Sequence, residues 1–524
     1  MYRSLLPALL LPGLPGLATA AELTIGLGAA ITSVDPHVAF GPNRALAMHV
    51  YEPLVRSGDR QEPEPGLALS WTTADAMQWE FRLRPGVTFQ DGTPFTAEDA
   101  AFSLRRAASG EGPRSYRSYT RGIVGLEVKD PLTLVVVTGQ AAPLLPRNLS
   151  TFGMVSARAA ADAAEADFDG GRAAIGTGPF RLLGWSRGAA VTLARNERHW
   201  GEWPAWDKVT FRFIPNDTAR VAALLAGDLD LIDAVPASLN QTILGRQGLS
   251  LTATTTGMLN YLQLDQRLPV PAGVSAFDGG ALPGNPFRDL RVRQAMTLAV
   301  DRDAIAGRVM QGQAEPSGQL VPPGLSGHVE GLPPATPDPA RARALLAAAG
   351  YPQGFRVTLR CTGDRYPNDA KVCEALAQMF SRIGIRTTLE VLPAAVFFPR
   401  FDPAGTAGDA GLGLAMAGFG PANGDAAASL AGLLHSHDRA RGLGSANGGR
   451  YGRPDLDSII EAALHLADPA ARQRQAEAAT RLAMEDVGII PIHFIRAQWA
   501  YRDRLHLRPR SDGATFAMNI RPNP

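Results

Sequence analysis

"FRDLRVRQAMTLAVDRDAI", residues 287–305, reads as one amphipathic helix running into another. Val292, Ala295, Met296, Ala299 and Val300 recur at i, i+3, i+4, i+7 and i+8, which is one face of an α-helix. Arg291, Arg293 and Gln294 fall on the opposite, polar face. By itself such a helix fits almost any α/β protein, so the sequence around it has to decide its setting.

The chain has 524 residues, of which 45% are hydrophobic. That composition suits a packed globular protein, and the length is too great for one core, so about two to four domains are expected. The formal net charge is +1. A near-neutral chain has no electrostatic footprint for nucleic acid or an anionic membrane. Of the 51 Lys and Arg residues only Lys129, Lys208 and Lys371 are Lys, so any anion has to be met by Arg, helix N-termini or backbone amides.

Residues 1–20, "MYRSLLPALLLPGLPGLATA", carry a basic Arg3, an apolar run and a small-x-small ending at Ala18-Thr19-Ala20. This is the pattern of a secretory signal peptide. Pro7, Pro12 and Pro15 break the run, which falls short of the ~20 apolar residues of a spanning helix. No Cys lies near the cleavage point, which argues against a lipid anchor. An exported chain is expected, with the periplasm as its place.

Strand and helix patterns alternate along the rest. "AELTIGLG" opens as a strand. "QWEFRLRPGVTFQDGTPFTAEDAAFSLRRAAS" gives two strands, turns at Pro85-Gly86 and Asp91-Gly92, and a helix capped by Thr96. "GLEVKDPLTLVVVTG" is a hairpin hinged at Asp130-Pro131, and "VTFRFIPNDTARVAALLAGDLDLI" is strand, helix, strand. "DPARARALLAAAGYP" starts on Pro339 and ends at Gly350. Two Pro/Gly-rich stretches, about 267–286 and 311–337, read as surface loops. The two cysteines, Cys361 and Cys373, fall on a strand and on the helix after it. An oxidising compartment favours a bridge, and two buried free thiols are the alternative, because spacing does not fix the Cα separation.

Catalytic signatures are absent from the sequence. There is no HExxH, and no nucleophile elbow: the one GxSxG string, "GWSRG" at 184–188, is followed by the strand-like "AAVTLAR" rather than by a helix. "GK" occurs nowhere, so Gly176 and Gly178 around Thr177 are no phosphate loop, and "GLGAAI" at 26–31 has Ile31 where a third glycine belongs. His435 and His437 read as members of a solvated loop rather than metal ligands. His493, in "GIIPIHFI", reads as a satisfied interior histidine. A periplasmic hydrolase is therefore a distant alternative to a binding protein.

The order of segments resembles the extracellular solute-binding proteins of the peptide/nickel type, family 5, which serve ATP-driven importers. "YEPLV" (51–55), "PGLALSW" (65–71) and "FRLRPGVTFQDGTPFTAEDAAFSL" (81–104) resemble its first block. "GTGPFRL" (176–182) with "RNERHWG" (195–201) resembles its second, and residues 287–305 its third. The resemblance implies an α/β fold of the type II, large three-domain form: two lobes with a ligand cleft between them and no catalysis. It places 22–56 with 177–262 and 490–524 in the sheet domain of lobe one, 57–176 in an extra domain, and 263–489 in lobe two. The chain is expected to cross between lobes twice, with the glycines at 176 and 178 near a crossing. The implied partners are a small solute, a short peptide or similar, and an inner-membrane permease with its ATPase. No cofactor or metal is implied, and a monomer is expected.

The resemblance also implies where the solute sits. In dipeptide binders of the family an Arg in the loop matching "TGDRYPND" takes the ligand carboxylate, and Arg365 matches it; pairing to Asp364 or Asp369 is the alternative. In "MAGFGPANGDAAASL" (416–430) Phe419 matches an aromatic wall, while the acid that holds a ligand ammonium falls on Ala422, with Asp425 aligned to a later carboxylate. Asn423, Phe40, Tyr116 and Tyr261 complete the candidate cleft. The departure at Ala422 keeps a metal chelate, an opine-like conjugate and an oligosaccharide open beside a peptide.

Overall fold

A computed structural model describes residues 21–110, 115–120, 122–401 and 411–523; the export signal expected over 1–20 lies outside the described residues. Two long strands organise the rest. Leu249–Leu264 and Ile490–Arg502 run antiparallel from the pair Leu249–Arg502 to the pair Leu262–Ile490. They lie in the middle of a twelve-stranded mixed sheet. On one side follow Leu231–Ile232, Glu22–Leu27, Lys208–Phe213, Ala190–Arg195 and Phe180–Ser186. On the other follow Leu414–Phe419, Phe355–Thr362 and Val274–Ala276. The two halves of the sheet are therefore joined through this one ladder.

The ladder is broken at one level. Register shifts between Thr255 and Leu259 and again between Asn260 and Tyr261. Gly257 sits in the gap, its N–H donating to Ser511 O (3.2 Å), and Thr256 Oγ1 donates to Ile495 O (2.8 Å). Irregular pairing bends a strand and weakens its ladder locally. The softest point of the connection thus falls between the halves.

Each half has its own core. Leu23, Ile25, Phe180, Phe211 and Trp499 pack in the first. Phe287, Val292, Met296, Phe355, Leu359 and Phe380 pack in the second. A third cluster, with Phe81, Phe89, Leu104 and Phe152, joins a four-stranded antiparallel sheet to the helix Ala97–Ser109. Asp99 fixes the start of that helix by accepting from Thr96 N (3.0 Å).

Residues 287–305 divide into a helix, Leu290–Ala299, and a short capped turn after Asp301. Val292, Ala295, Met296, Ala299 and Val300 are buried as the periodicity requires. Arg293 departs from expectation. It is buried, and its guanidinium donates to Phe287 O (3.0 Å), Asp486 O (2.8 Å) and Asp486 Oδ1 (3.1 Å). A 3.6-residue period cannot separate a solvated Arg from one that finds carbonyls over a neighbouring loop.

Two other expectations are corrected. Residues 311–337 are not simply a surface loop, because Leu320, Val321, Leu325 and Val329 are buried. Gln319 makes this possible by bonding the N–H and C=O of Val329 (2.8 and 3.0 Å). Gly176 and Gly178 mark no interlobe crossing. They pass against the Gly41–Val50 helix end, where a Cβ on Gly178 would lie 2.6 Å from His49 O.

Cys361 and Cys373 are joined, with Cα atoms 6.7 Å apart at a sequence separation of 12. Closing a loop of this length stabilises by about 3 kcal/mol in the chain-entropy treatment. A Cys361→Ala/Cys373→Ala double variant should lose stability of that order in urea unfolding. An unchanged midpoint and slope would show that the bridge contributes nothing.

Candidate functional site

Phe355–Thr362 and Leu414–Phe419 run parallel, pairing at Leu359–Leu414. The carboxyl ends of parallel strands are where open α/β sheets gather ligands. Two loops leave that edge, 363–368 and 420–425. The first is held rigidly from below. Asp369, buried, accepts from Thr362 Oγ1 (2.8 Å) and from the N–H groups of Arg365 and Tyr366 (both 3.2 Å). Tyr366 ties the loops together, its hydroxyl donating to Gly418 O (3.2 Å) and accepting from Gly418 N (3.0 Å).

On this base Arg365 is exposed, its guanidinium 5.3 Å from the Tyr366 ring centre. It forms no ion pair among the described residues. Asp364 instead accepts from Ala394 N (2.8 Å) at the start of the later helix Ala394–Phe401, and Asp369 is occupied by its loop. Phe419 is half-buried with its ring against Gly432, where a Cβ would meet it at 3.1 Å.

The second loop is seated on the opposite lobe. Ala422 O accepts from Arg44 Nη1 (3.1 Å). The Tyr119 hydroxyl lies close to the Ala422 backbone. Asn423 Nδ2 donates to Asn148 Oδ1 (2.9 Å). Asp425 is only 1% exposed. Its Oδ1 caps a short helix at Ala427 N (2.9 Å), and its Oδ2 accepts from Ser326 Oγ (2.8 Å) and Arg472 Nη1 (3.1 Å). Arg147 Nε of lobe one stands 3.8 Å from the same oxygen, and its Nη1 donates to Gln61 O (2.8 Å). Burial lowers the Arg147 pKa, and the Asp425 charge raises it in return. Asp425 is thus an interlobe tie with both oxygens engaged, rather than a carboxylate open to a solute ammonium.

The structure therefore brings Arg365, Phe419, Asn423 and Asp425 to one sheet edge. Phe40 is half-buried at the start of the Gly41–Val50 helix, its carbonyl accepting from Arg44 N (2.9 Å). Tyr116 lies inside the cluster of Phe81, Phe89 and Phe152, its ring 5.2 Å from that of Phe152, and burial pushes its hydroxyl up to about 12. Tyr261 is packed in the core of lobe two, and burial raises its hydroxyl as well. Neither presents a surface to the cleft in this conformation. Arg44, Tyr119, Arg147 and Asn148 complete the lobe-one side of the contact, and no local spacing in the sequence announces them.

His493 is interior, but only half satisfied. Its Nε2 faces Asn260 Nδ2 (3.3 Å), while its Nδ1 has no partner among the described residues. Desolvation brings its pKa down to about 4, so the ring is neutral at pH 7. His435 is buried, not solvated, with Nε2 3.0 Å from Glu461 Oε1.

Two lobes sharing one interrupted ladder, with loops at a parallel-strand edge reaching across to the other lobe, define a two-lobed binding protein. Residues 62–440 match the model of the bacterial extracellular solute-binding proteins, family 5, and the chain belongs to that family. It is 26% identical over 483 residues to the glutathione-binding protein GsiB of Salmonella paratyphi A, covering 91% of this chain and 90% of that one. It superposes on the periplasmic binding protein DppA of Helicobacter pylori in complex with the peptide STSA, with a TM-score of 0.77 at 22% identity, covering 96% and 98% of the chains. It superposes also on AgaA of A. tumefaciens R10 in complex with agropinic acid, with a TM-score of 0.76 at 25% identity, covering 96% and 99%.

Arg147→Gln removes the lobe-one half of the tie and leaves Asp425 paired to Arg472 within lobe two. The solute-free variant should have a larger radius of gyration by small-angle scattering, with little change in melting temperature. An unchanged radius would show that this contact does not hold the lobes.

Proposed function

We propose that this chain is the exported, periplasmic solute-capturing subunit of an ATP-driven importer. It acts as a monomer that closes its lobes on one small solute and presents the closed form to a membrane permease with its own ATPase. It performs no chemistry and uses no cofactor. Closure is then a population shift driven by the solute's greater affinity for the closed state.

The solute is a small peptide or peptide-like acid. The observation that carries this reading is Arg365: an exposed guanidinium, unpaired by any carboxylate among the described residues, on a loop pinned by Asp369 and Tyr366 at the parallel-strand edge. A guanidinium fork in a fixed frame suits a carboxylate. Carboxylates are common to the peptide, glutathione and agropinic acid named for the three relatives. The state of the second loop narrows the class. Ala422 offers only a backbone carbonyl and Asp425 is occupied, so a free α-amine finds no carboxylate there. This favours a solute whose amine is substituted, as in an opine-like conjugate, or a peptide held mainly by its acid end.

Losing one partner of a desolvated charged pair costs about 2–5 kcal/mol. In calorimetric titrations with reduced glutathione, an alanine tripeptide and agropinic acid, at least one should bind the wild type. Arg365→Ala should weaken that solute thirtyfold or more without moving the melting temperature of the empty protein. Equal affinity in the variant would remove Arg365 from the site.

A further inference from the structure

A cavity of about 600 Å3 opens on the first lobe. Every residue lining it belongs to segments 44–205 or 508–521, so lobe two contributes nothing to its wall. Its acids are largely engaged with the protein itself. Asp59 pairs with Arg508, Asp512 with Arg510 and Glu202 with Arg521, each at 2.9 Å. Glu62 accepts from the backbone N–H of Arg60 (2.9 Å). Glu52 is buried, and its Oε2 accepts from Trp200 Nε1 (2.7 Å) and Thr177 Oγ1 (2.9 Å).

Two cations on the same wall are not matched in this way. Arg56 and Arg84 both line the cavity, and both pack on Gly66. Arg84 Nε donates to Gly66 O at 3.3 Å, and a Cβ on Gly66 would lie 3.0 Å from Arg56 Cγ. The backbone sets this neighbourhood. Arg56 stands opposite Glu64 in the short ladder of Val55–Ser57 with Pro63–Pro65, and Arg84 N donates to Leu67 O (2.8 Å) just beyond it.

Arg84 is half-buried and has no ion pair among the described residues. Its guanidinium carbon lies 4.0 Å from the Trp200 ring centre. Stacking of this kind covers a face of the guanidinium and leaves its in-plane N–H groups free to donate. Arg56 has only Glu64, 3.8 Å away, with the two side chains 53% and 43% exposed. An ion pair that long and that exposed contributes little. Burial, and then the charge of Arg56, hold the Arg84 pKa below its usual value against the pull of Glu52. Like charges placed side by side favour an anion between them.

We propose that this cavity is a second ligand site, separate from the interlobe cleft, that takes a phosphate monoester. The phosphate sits between Arg84 and Arg56, with the Trp200 ring fixing the plane of the Arg84 guanidinium. Such an ester carries about two negative charges at pH 7 and three strong acceptor oxygens, so it can accept from both guanidinium groups at once. The rest of the cavity holds the carbon body of the ester. Glu64 is the competitor that the phosphate displaces from Arg56. Because Arg44 both lines the cavity and donates to Ala422 O across the lobes, an occupant would lie beside a residue that takes part in closure.

The test is calorimetric titration with glycerol 3-phosphate, and with glycerol as the analogue lacking the phosphate. The ester should bind the wild type and the Arg365→Ala variant equally, and glycerol should bind neither. Arg84→Gln and Arg56→Gln should each weaken the ester at least tenfold. Glu64→Gln should tighten it severalfold by removing the competitor. No binding to the wild type, glycerol binding as well as the ester, equal binding by the folded Arg84→Gln and Arg56→Gln variants, or loss confined to Arg365→Ala would each overturn the proposal; the last would assign the phosphate to the cleft. Should Arg84→Gln fail to fold, judged by circular dichroism, Arg56→Gln and Glu64→Gln decide through their opposite changes in affinity.

Discussion

Everything in this molecule depends on one backbone ladder. Leu249–Leu264 and Ile490–Arg502 are the strands that both halves of the sheet share, and each half satisfies its innermost backbone groups on them. Buried N–H and C=O groups must be paired, so the strands cannot separate without exposing both cores. They can flex where the ladder is already interrupted, near Thr255–Leu259, because Gly257 and Thr256 have taken partners outside the regular pairing. A connection that is strong along its length and weak at one level permits rigid lobes to move as bodies. The separate cores on either side keep each lobe intact as they do so.

The charge distribution at the cleft follows from that architecture. Loops at the parallel-strand edge face lobe one, and their carboxylates are consumed in shaping and latching them. Asp369 organises the Arg365 loop, and Asp425 joins Arg472 to Arg147. A buried carboxylate between two guanidinium groups is costly to desolvate and costly to break, which makes it better suited to fixing one geometry than to adding stability. Arg365 stands outside these internal pairings, with no ion pair among the described residues.

Much of the architecture was legible in the sequence. The 287–305 periodicity, the Thr96 cap, the Asp130-Pro131 hairpin and the strand–helix pair bearing Cys361 and Cys373 all follow local rules of spacing and capping. The failures were long-range. Arg293 is buried because loop carbonyls of Phe287 and Asp486 converge on it. Residues 320–329 are buried because Gln319 replaces secondary structure with side-chain bonds. Arg365 and Phe419 lie at the sheet edge to which the resemblance pointed, whereas Tyr116 and Tyr261 are aromatic residues whose period alone cannot separate a cleft wall from a core. Arg44, Arg147 and Asn148 become part of the site only when the lobes meet.

The central claim is that the chain captures one small acid between its lobes. Native mass spectrometry of protein purified without added ligand tests it most directly. The account predicts a population carrying one bound small molecule per chain, whose released mass and fragments identify a carboxylic acid of peptide-like character. A bound neutral oligosaccharide, or a metal without an organic acid, would contradict it.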